Sequence, residues 1–237
     1  MVRAVRIQHR TLAKVRVMRD DGFWISPGVF SADECAALAD ELAAGEIGRS
    51  RAGARHLMRV SAVERLANDE RLLRIARAAL GPAIPFRATL FEKSGESNWL
   101  VVWHQDTALP LAERFDLPGW GPWSTKCGIH YAHGPTWALE RILALRVHLD
   151  DSTAENGPLL VIPDSHKLGV LSDDEVFQVA HSRSPAVCVV PRGGVLAMRP
   201  LLIHSSQKAV SPEPRRVLHL EFAASLDLAQ EIRLAVA

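Results

Sequence analysis

The chain has 237 residues, 48% of them hydrophobic and 23% charged, with a formal net charge of +1. That is enough apolar material to bury a substantial core, in one large β domain or two small ones. The near-neutral charge argues against nucleic acid or an anionic membrane as the main partner, and no apolar run reaches the length that spans a bilayer. Met1 to Val17 is basic, with no acid before Asp20, but lacks the apolar centre of a secretory signal; it reads as a flexible or strand-forming leader. Cys35, Cys127 and Cys188, without a CxxC, suggest neither a disulfide framework nor a zinc knuckle, and the expected location is cytoplasmic.

No internal repeat or low-complexity linker divides the chain, so one domain over 1–237 is the simpler reading. The first part, 1–85, is mostly helical. Ser31-Ala-Asp-Glu34 is a capping box followed by Cys35, Leu38 and Leu42 at helical spacing until Gly45, and Ser61-Ala-Val-Glu64 is a second box. From Asp69 to Leu80 apolar residues recur at Leu72, Leu73, Ile75 and Leu80, and Gly81-Pro82 stops the pattern. From Phe86 the period changes to that of strands: Phe86–Phe91, Leu100–Trp103, Ile142–Leu149, Leu159–Ile162, Ala186–Val190, Val195–Met198 and Val217–Phe222. Ser94-Gly95, Asn156-Gly157-Pro158 and Arg192-Gly193-Gly194 supply the turns. Many short strands without alternating helices favour a sandwich or closed barrel. Within 86–237, the stretch 108–137 is rich in Pro, Gly and Trp and weakly periodic; Trp120, Trp123 and Trp137 make it an ordered lid or entrance wall. Ser172-Asp-Asp-Glu175 is a third capping box opening a short structural helix, Asp173 to Ala180.

Two His-x-Asp pairs carry potential chemistry: His104-Gln105-Asp106 at the end of an apolar strand, and His148-Leu149-Asp150. Residues two apart on a strand share a face, and one imidazole with one carboxylate is two-thirds of the triad that holds non-haem Fe(II) with positions open. Spacing alone does not choose between the pairs. His204, at the end of the strand-like run from Leu201, is the best distant third ligand, against the commoner fate of a core histidine. Pro214-Arg-Arg216 opens the last strong strand, where one guanidinium can enter the barrel to meet a carboxylate while the other stays a solvated strand end.

From Asp21 to Ala224 the chain resembles the phytanoyl-CoA dioxygenase family of Fe(II)/2-oxoglutarate-dependent oxygenases. The matching segments, in order, are Gly22 to Ser31, Trp103-His-Gln-Asp106, Leu145 to Asp151, Glu155-Asn-Gly-Pro-Leu159, Ile162-Pro-Asp-Ser-His166, Gly193-Gly-Val-Leu196, His204-Ser-Ser206 and Pro214-Arg-Arg216. The resemblance implies a fold that is mainly β with N-terminal helices, a double-stranded β-helix or jelly-roll barrel. It implies His104, Asp106 and His204 as the ligands of Fe(II), with 2-oxoglutarate and O2 as cosubstrates, and Arg215 on the distal carboxylate of 2-oxoglutarate. Arg146, on one face with His148, falls where several relatives place a tryptophan beside the cosubstrate, which would make this pocket more cationic. Lys93 resembles a feature of bacterial members and is either near the cosubstrate or a surface charge. Asp164 stands where relatives usually have glycine, a position of left-handed backbone that Asp tolerates. Asp106 keeps the carboxylate that halogenating relatives lack, so hydroxylation or a related oxidation of a small-molecule substrate, with release of succinate and CO2, is expected. Two alternatives stand beside it: a non-catalytic barrel that binds a metal or small acid, and a cupin-like metal enzyme that uses no 2-oxoglutarate. The sequence carries no signal of oligomeric state.

Overall fold

The computed structural model describes residues 21–50, 53–94 and 97–237; the basic leader, and Gly95 of the Ser94-Gly95 turn, lie outside the described residues. The chain opens with β1 (Phe23–Ser26), α1 (Ala32–Ala44), the paired β2 (Arg49–Ser50) and β3 (Gly53–Arg55), then α2 (Ser61–Ala67) and α3 (Glu70–Leu80). It continues through β4 (Ile84–Lys93), β5 (Val101–His104), β6 (Ala108–Leu111), β7 (Trp123–Lys126), β8 (Ile129–His133), α4 (Thr136–Leu139) and β9 (Ile142–His148). The last third holds β10 (Leu159–Val161), α5 (Asp173–Ser182), β11 (Ala186–Cys188), β12 (Val195–Met198), β13 (His204–Ser206), β14 (Arg215–Ala223), β15 (Asp227–Ala229) and β16 (Ile232–Arg233).

Two of the three capping boxes form. Ser31 and Glu34 satisfy each other's backbone N–H groups at the start of α1, and Ser172 and Glu175 do the same for α5. The box expected at Ser61 does not form, because Ser61 is already helical and Val60 caps without a side-chain bond. A tight turn over Leu57–Arg59 runs straight into α2, so Val60 closes the turn and caps the helix at once. Asp69 caps α3, and Gly81, at φ 80°, ends it.

The strands form a jelly roll, the double-stranded β-helix. A seven-stranded sheet runs β1-β12-β9-β14-β4-β3-β2 and a four-stranded sheet β11-β10-β13-β5, with every described pairing antiparallel. Alternation along β14 sorts the large sheet into two faces. Leu218, Leu220 and Phe222 join Leu143, Leu145 and Val147 of β9 in one core with α1, α2 and α3, through Leu42, Val63, Leu72 and Ile75. The other face of the same strands looks onto the four-stranded sheet and carries the polar residues described below. Among the described residues, no helix is long and apolar enough to cross a membrane.

The segment 108–137, expected as an ordered stretch without regular structure, contains a three-stranded sheet, β6-β8-β7. Its strands are too short and too rich in Pro and aromatic residues to show a clear period of two. Phe115 meets Trp120 and Trp123 edge to face at 5.3 and 5.0 Å, and Trp120 meets Trp137 at 6.1 Å, so aromatic contacts order the connections.

Candidate metal and cosubstrate site

His104 ends β5 and His204 begins β13, and the two are direct partners across the antiparallel pair, so both imidazoles rise from one face with ring centroids 4.2 Å apart. His204 therefore starts a strand rather than ending one; residues 200–203 form the turn before it. Asp106 lies two residues past the end of β5. It is held there by its own N–H, which donates to the Pro200 carbonyl at 2.9 Å. Between them, buried Gln105 clamps three backbones: its amide donates to the carbonyls of Leu201 (2.7 Å) and Gly169 (2.9 Å) and accepts from the N–H of Leu171 (2.9 Å).

The result is a cluster in which one ligand atom from each of His104, Asp106 and His204 lies within 4.8 Å of the others. Each imidazole Nδ1 faces the carbonyl two residues before it, Val102 at 2.9 Å and Leu202 at 2.8 Å. A carbonyl only accepts, so each Nδ1 carries a proton and each Nε2 faces Asp106, at 3.6 Å from His104 and 3.5 Å from His204. Burial, then the neighbouring His104, drives His204 down to a pKa of about 3 and keeps it neutral. Burial opposes charge on Asp106 and His104 alike, but the two imidazoles hold the Asp106 carboxyl well below its usual range, and that carboxylate raises His104 above the usual histidine value. His204 is 4% exposed against 35% for His104 and 28% for Asp106, so the cluster opens on the side of the latter two. Two imidazole nitrogens and a carboxylate on one side, with solvent on the other, suit a divalent iron that keeps coordination positions free.

The second His-x-Asp pair is not a second cluster. β9 stops at His148 and the chain bends, which removes the strand geometry that its spacing suggested. Asp150 takes a bidentate pair with Arg216 at 2.8 Å for both bonds. His148 stays buried with neither ring nitrogen bonded. Burial, then the charges of Arg146 and Arg215, holds its pKa well below the usual histidine value, so it is neutral. Arg216, one of the two arginines opening β14, is thus a paired and partly buried residue rather than a solvated strand end.

Beside the metal cluster is a knot of cations. Arg215 and Lys93 are direct partners across β14 and β4 and both are buried. Both converge on the Ser206 hydroxyl, Lys93 Nζ at 2.7 Å and Arg215 Nη2 at 3.4 Å, while that hydroxyl donates to the Gly157 carbonyl at 2.8 Å. Lys93 also donates to the Gln207 carbonyl, and Arg215 Nε donates to that of Asn156 at 3.2 Å. A side chain at Gly157, φ 71°, would meet the Gln207 carbonyl oxygen at 2.5 Å and Lys93 Nζ at 3.0 Å, so the turn must be glycine to close over the knot. Among the described residues, neither cation meets a carboxylate. Burial, then Arg215 and Arg146, lowers Lys93 to a pKa of about 8; burial, then Arg146, lowers Arg215 to about 9. Lys93 is therefore no surface charge.

Further along the same face, Arg146 of β9 partners His219 of β14, and Glu221 lies opposite Arg87 of β4. Arg146 Nη1 bonds His219 Nδ1 at 3.1 Å, His219 Nε2 bonds Glu221 Oε1 at 3.2 Å, and Arg87 pairs with the same oxygen. Sequence reasoning placed Arg146 here but missed His219, Glu221, Arg87 and the Ser206 hydroxyl. The signal for two of them is in β14: Arg215, His219 and Glu221 occupy alternate positions of a strand whose opposite positions 218, 220 and 222 are all apolar. Asp164, paired with Lys167 at 2.7 Å, has the left-handed backbone expected, φ 66°.

Comparison with known proteins agrees with this architecture. The family model of phytanoyl-CoA dioxygenase (PhyH) matches residues 18–217. Ectoine dioxygenase of Sphingopyxis alaskensis is 25% identical over 245 aligned residues, covering 86% of this chain and 72% of that protein. The structure of EctD from S. alaskensis with 2-oxoglutarate and 5-hydroxyectoine superposes with a TM-score of 0.68 at 23% identity, covering 99% of this chain and 89% of that one. AviO1 from Streptomyces viridochromogenes gives 0.65 at 22% identity, with 93% and 96% covered. The match over residues 18–217 leaves only the termini outside it, and the chain belongs to the phytanoyl-CoA dioxygenase family of Fe(II)/2-oxoglutarate-dependent oxygenases.

Proposed function

We propose that this Fe(II)/2-oxoglutarate-dependent dioxygenase hydroxylates a small-molecule substrate, with His104, Asp106 and His204 as iron ligands and Arg215 and Lys93 as the seat of the cosubstrate's distal carboxylate. The observation that carries the reading is the juxtaposition of two sites of opposite need. One is a two-imidazole and carboxylate cluster matched to Fe(II). The other is a buried cation pair whose described partners are only a hydroxyl and carbonyls. A dicarboxylate joins the two. Iron and 2-oxoglutarate together supply oxygen activation coupled to decarboxylation, which gives succinate and CO2 and oxidises an unactivated C–H bond.

The protein's own part is positional. The Val102 and Leu202 carbonyls fix both imidazole tautomers before metal arrives, and Gln105 holds the Asp106 backbone in place. Arg215 presents a planar fork to a carboxylate, Lys93 adds a point charge, and the Ser206 hydroxyl, donating to Gly157, keeps both aimed at one spot. Asp106 would hold the iron with a carboxylate where a halogenating enzyme leaves room for halide, which favours hydroxylation. A cytoplasmic setting agrees with the three cysteines, all unpaired thiols. The test is uptake of Fe(II) by anaerobic protein followed by release of CO2 from the C1 carboxylate of 2-oxoglutarate on admitting air. Iron-dependent release that is absent in Asp106→Ala is expected. Iron uptake with no release would point to the metal enzyme that uses no 2-oxoglutarate.

A further inference from the structure

The interior of the barrel holds more positive charge than its two cofactors consume. Iron(II) and Asp106 leave one positive charge, and the dianion of 2-oxoglutarate offsets that charge and one side-chain cation. Glu221 offsets Arg87. Of Lys93, Arg146 and Arg215, two therefore remain uncompensated.

Position separates Arg146 from the other two. Lys93 and Arg215 are level across β4 and β14, whereas Arg146 is level with His219, four residues further along β14. At 3.3–3.4 Å per residue this is an offset of roughly 13 Å along the strand. Lys93 and Arg215 share the Ser206 hydroxyl; Arg146 bonds His219 instead. The Arg146 guanidinium acts electrostatically on His104, Asp106 and His204, and also on Lys93 and Arg215, so it is within reach of both the ligand cluster and the cation pair.

Its bonding also has a direction. A guanidinium only donates, so His219 Nδ1 accepts from Arg146, the His219 proton sits on Nε2, and that proton goes to Glu221 Oε1, which Arg87 also holds. Arg87 is tied in turn to the Ala108 carbonyl at 2.7 Å. One end of the Arg146 fork is thus fixed to a braced relay, and its ring-side face lies 5.3 Å from the centre of Phe91. Its Nε, one of the two donors on the edge that receives a bidentate carboxylate, is buried and has no partner. An unpaired, buried guanidinium nitrogen, on a side chain fixed at its other end and within electrostatic reach of the candidate iron ligands, marks a preorganised anion site.

We propose that Arg146 anchors a carboxylate group of the substrate, so that the enzyme oxidises a small carboxylic acid, and that His219, Glu221 and Arg87 are positioning residues that aim the Arg146 fork. The proposal rests on the oxygenase reading above. Its test uses anaerobic protein loaded with Fe(II) and 2-oxoglutarate, whose visible charge-transfer band reports cosubstrate binding. Butanoate, hexanoate and octanoate are then titrated by calorimetry beside their primary amides. The acids are expected to bind at least about ten-fold more tightly than the amides, roughly 1.4 kcal/mol. Arg146→Met should erase that preference while the 2-oxoglutarate concentration that half-forms the band moves by less than about three-fold. His219→Gln, which keeps an acceptor toward Arg146, should retain more of the preference than His219→Phe.

Equal binding of acids and amides by the wild-type protein overturns the proposal without any variant. So does an Arg146→Met protein in which the band demands as much extra 2-oxoglutarate as it does in Arg215→Met, because Arg146 is then a cosubstrate ligand. A wild-type protein that binds iron but never forms the band overturns the oxygenase reading itself.

Discussion

The two faces of the seven-stranded sheet are made by the same strands and obey opposite rules. Outward, Leu218, Leu220 and Phe222 of β14 and Leu143, Leu145 and Val147 of β9 pack on three helices in a continuous apolar core. Inward, the intervening positions hold Arg215, His219, Glu221, Arg146 and His148 beside the apolar Val217, Ala144 and Ile142, all buried. The outward face lowers the free energy of the fold by removing apolar surface from water. The inward face raises it, because buried cations without counter-ions and a histidine without partners are held out of water. On the proposed reading, the face that burdens the unliganded protein is the one that ligands relieve.

Substitutions on each face test that contrast, and the largest effect falls at the metal. Asp106→Ala removes the sole anion of the cluster, and iron uptake measured by anaerobic equilibrium dialysis should be lost while the outward core and its unfolding cooperativity persist. Next comes Phe222→Ala, on the outward face, which should cost about 3–5 kcal/mol of stability in denaturant titration. Molecules that remain folded should bind 2-oxoglutarate as before. Arg215→Met, on the inward face, should reverse the pattern. Cosubstrate binding weakens by about 2–4 kcal/mol, on the order of 30- to 1000-fold, while the unliganded protein unfolds no earlier than wild type.

Lys93 gives a pH signature for the same contrast. Its folded pKa of about 8 lies below its usual 10.5. The unfolded chain binds more protons between those values, so Lys93 makes the unliganded protein more stable as pH rises through that window. A bound dianion favours the charged lysine, so 2-oxoglutarate affinity should fall as pH rises through about 8. Lys93→Met should flatten both profiles, followed by thermal unfolding and by cosubstrate titration. The smallest effect is far from the site: Ser31→Ala removes the α1 cap and should cost about 1 kcal/mol without touching either ligand.

Much of this was legible in the sequence, and the part that was not has a physical reason. Capping boxes located α1 and α5, the apolar period with its Gly81-Pro82 stop located α3, and apolar runs located the central strands, because all these signals are local. Ser61 misled because a capping box has the same spacing whether its serine precedes a helix or lies inside one. Trp103-His104-Gln105-Asp106 announced two candidate ligands; the family resemblance, not their spacing, selects them over His148 and Asp150, and the long-range pairing of β5 with β13, which sets His104 opposite His204, gives the physical reason. The spacing of His148 and Asp150 was equally good; a bend after β9 and Arg216, 66 residues away, took that carboxylate. The relay from Arg146 to Arg87 joins three strands, and only the alternation within β14 hinted at it.

The most direct measurement is an anaerobic titration of the Fe(II)-loaded protein with 2-oxoglutarate, following the charge-transfer band in wild type, Arg215→Met and Phe222→Ala. The account predicts a band of the same final intensity per folded molecule in wild type and Phe222→Ala at the same 2-oxoglutarate concentration. Arg215→Met should need on the order of 30-fold more, or higher. A band that forms equally readily in Arg215→Met would contradict the assignment of the inward cations to the cosubstrate, and with it the claim that this face is built for a ligand.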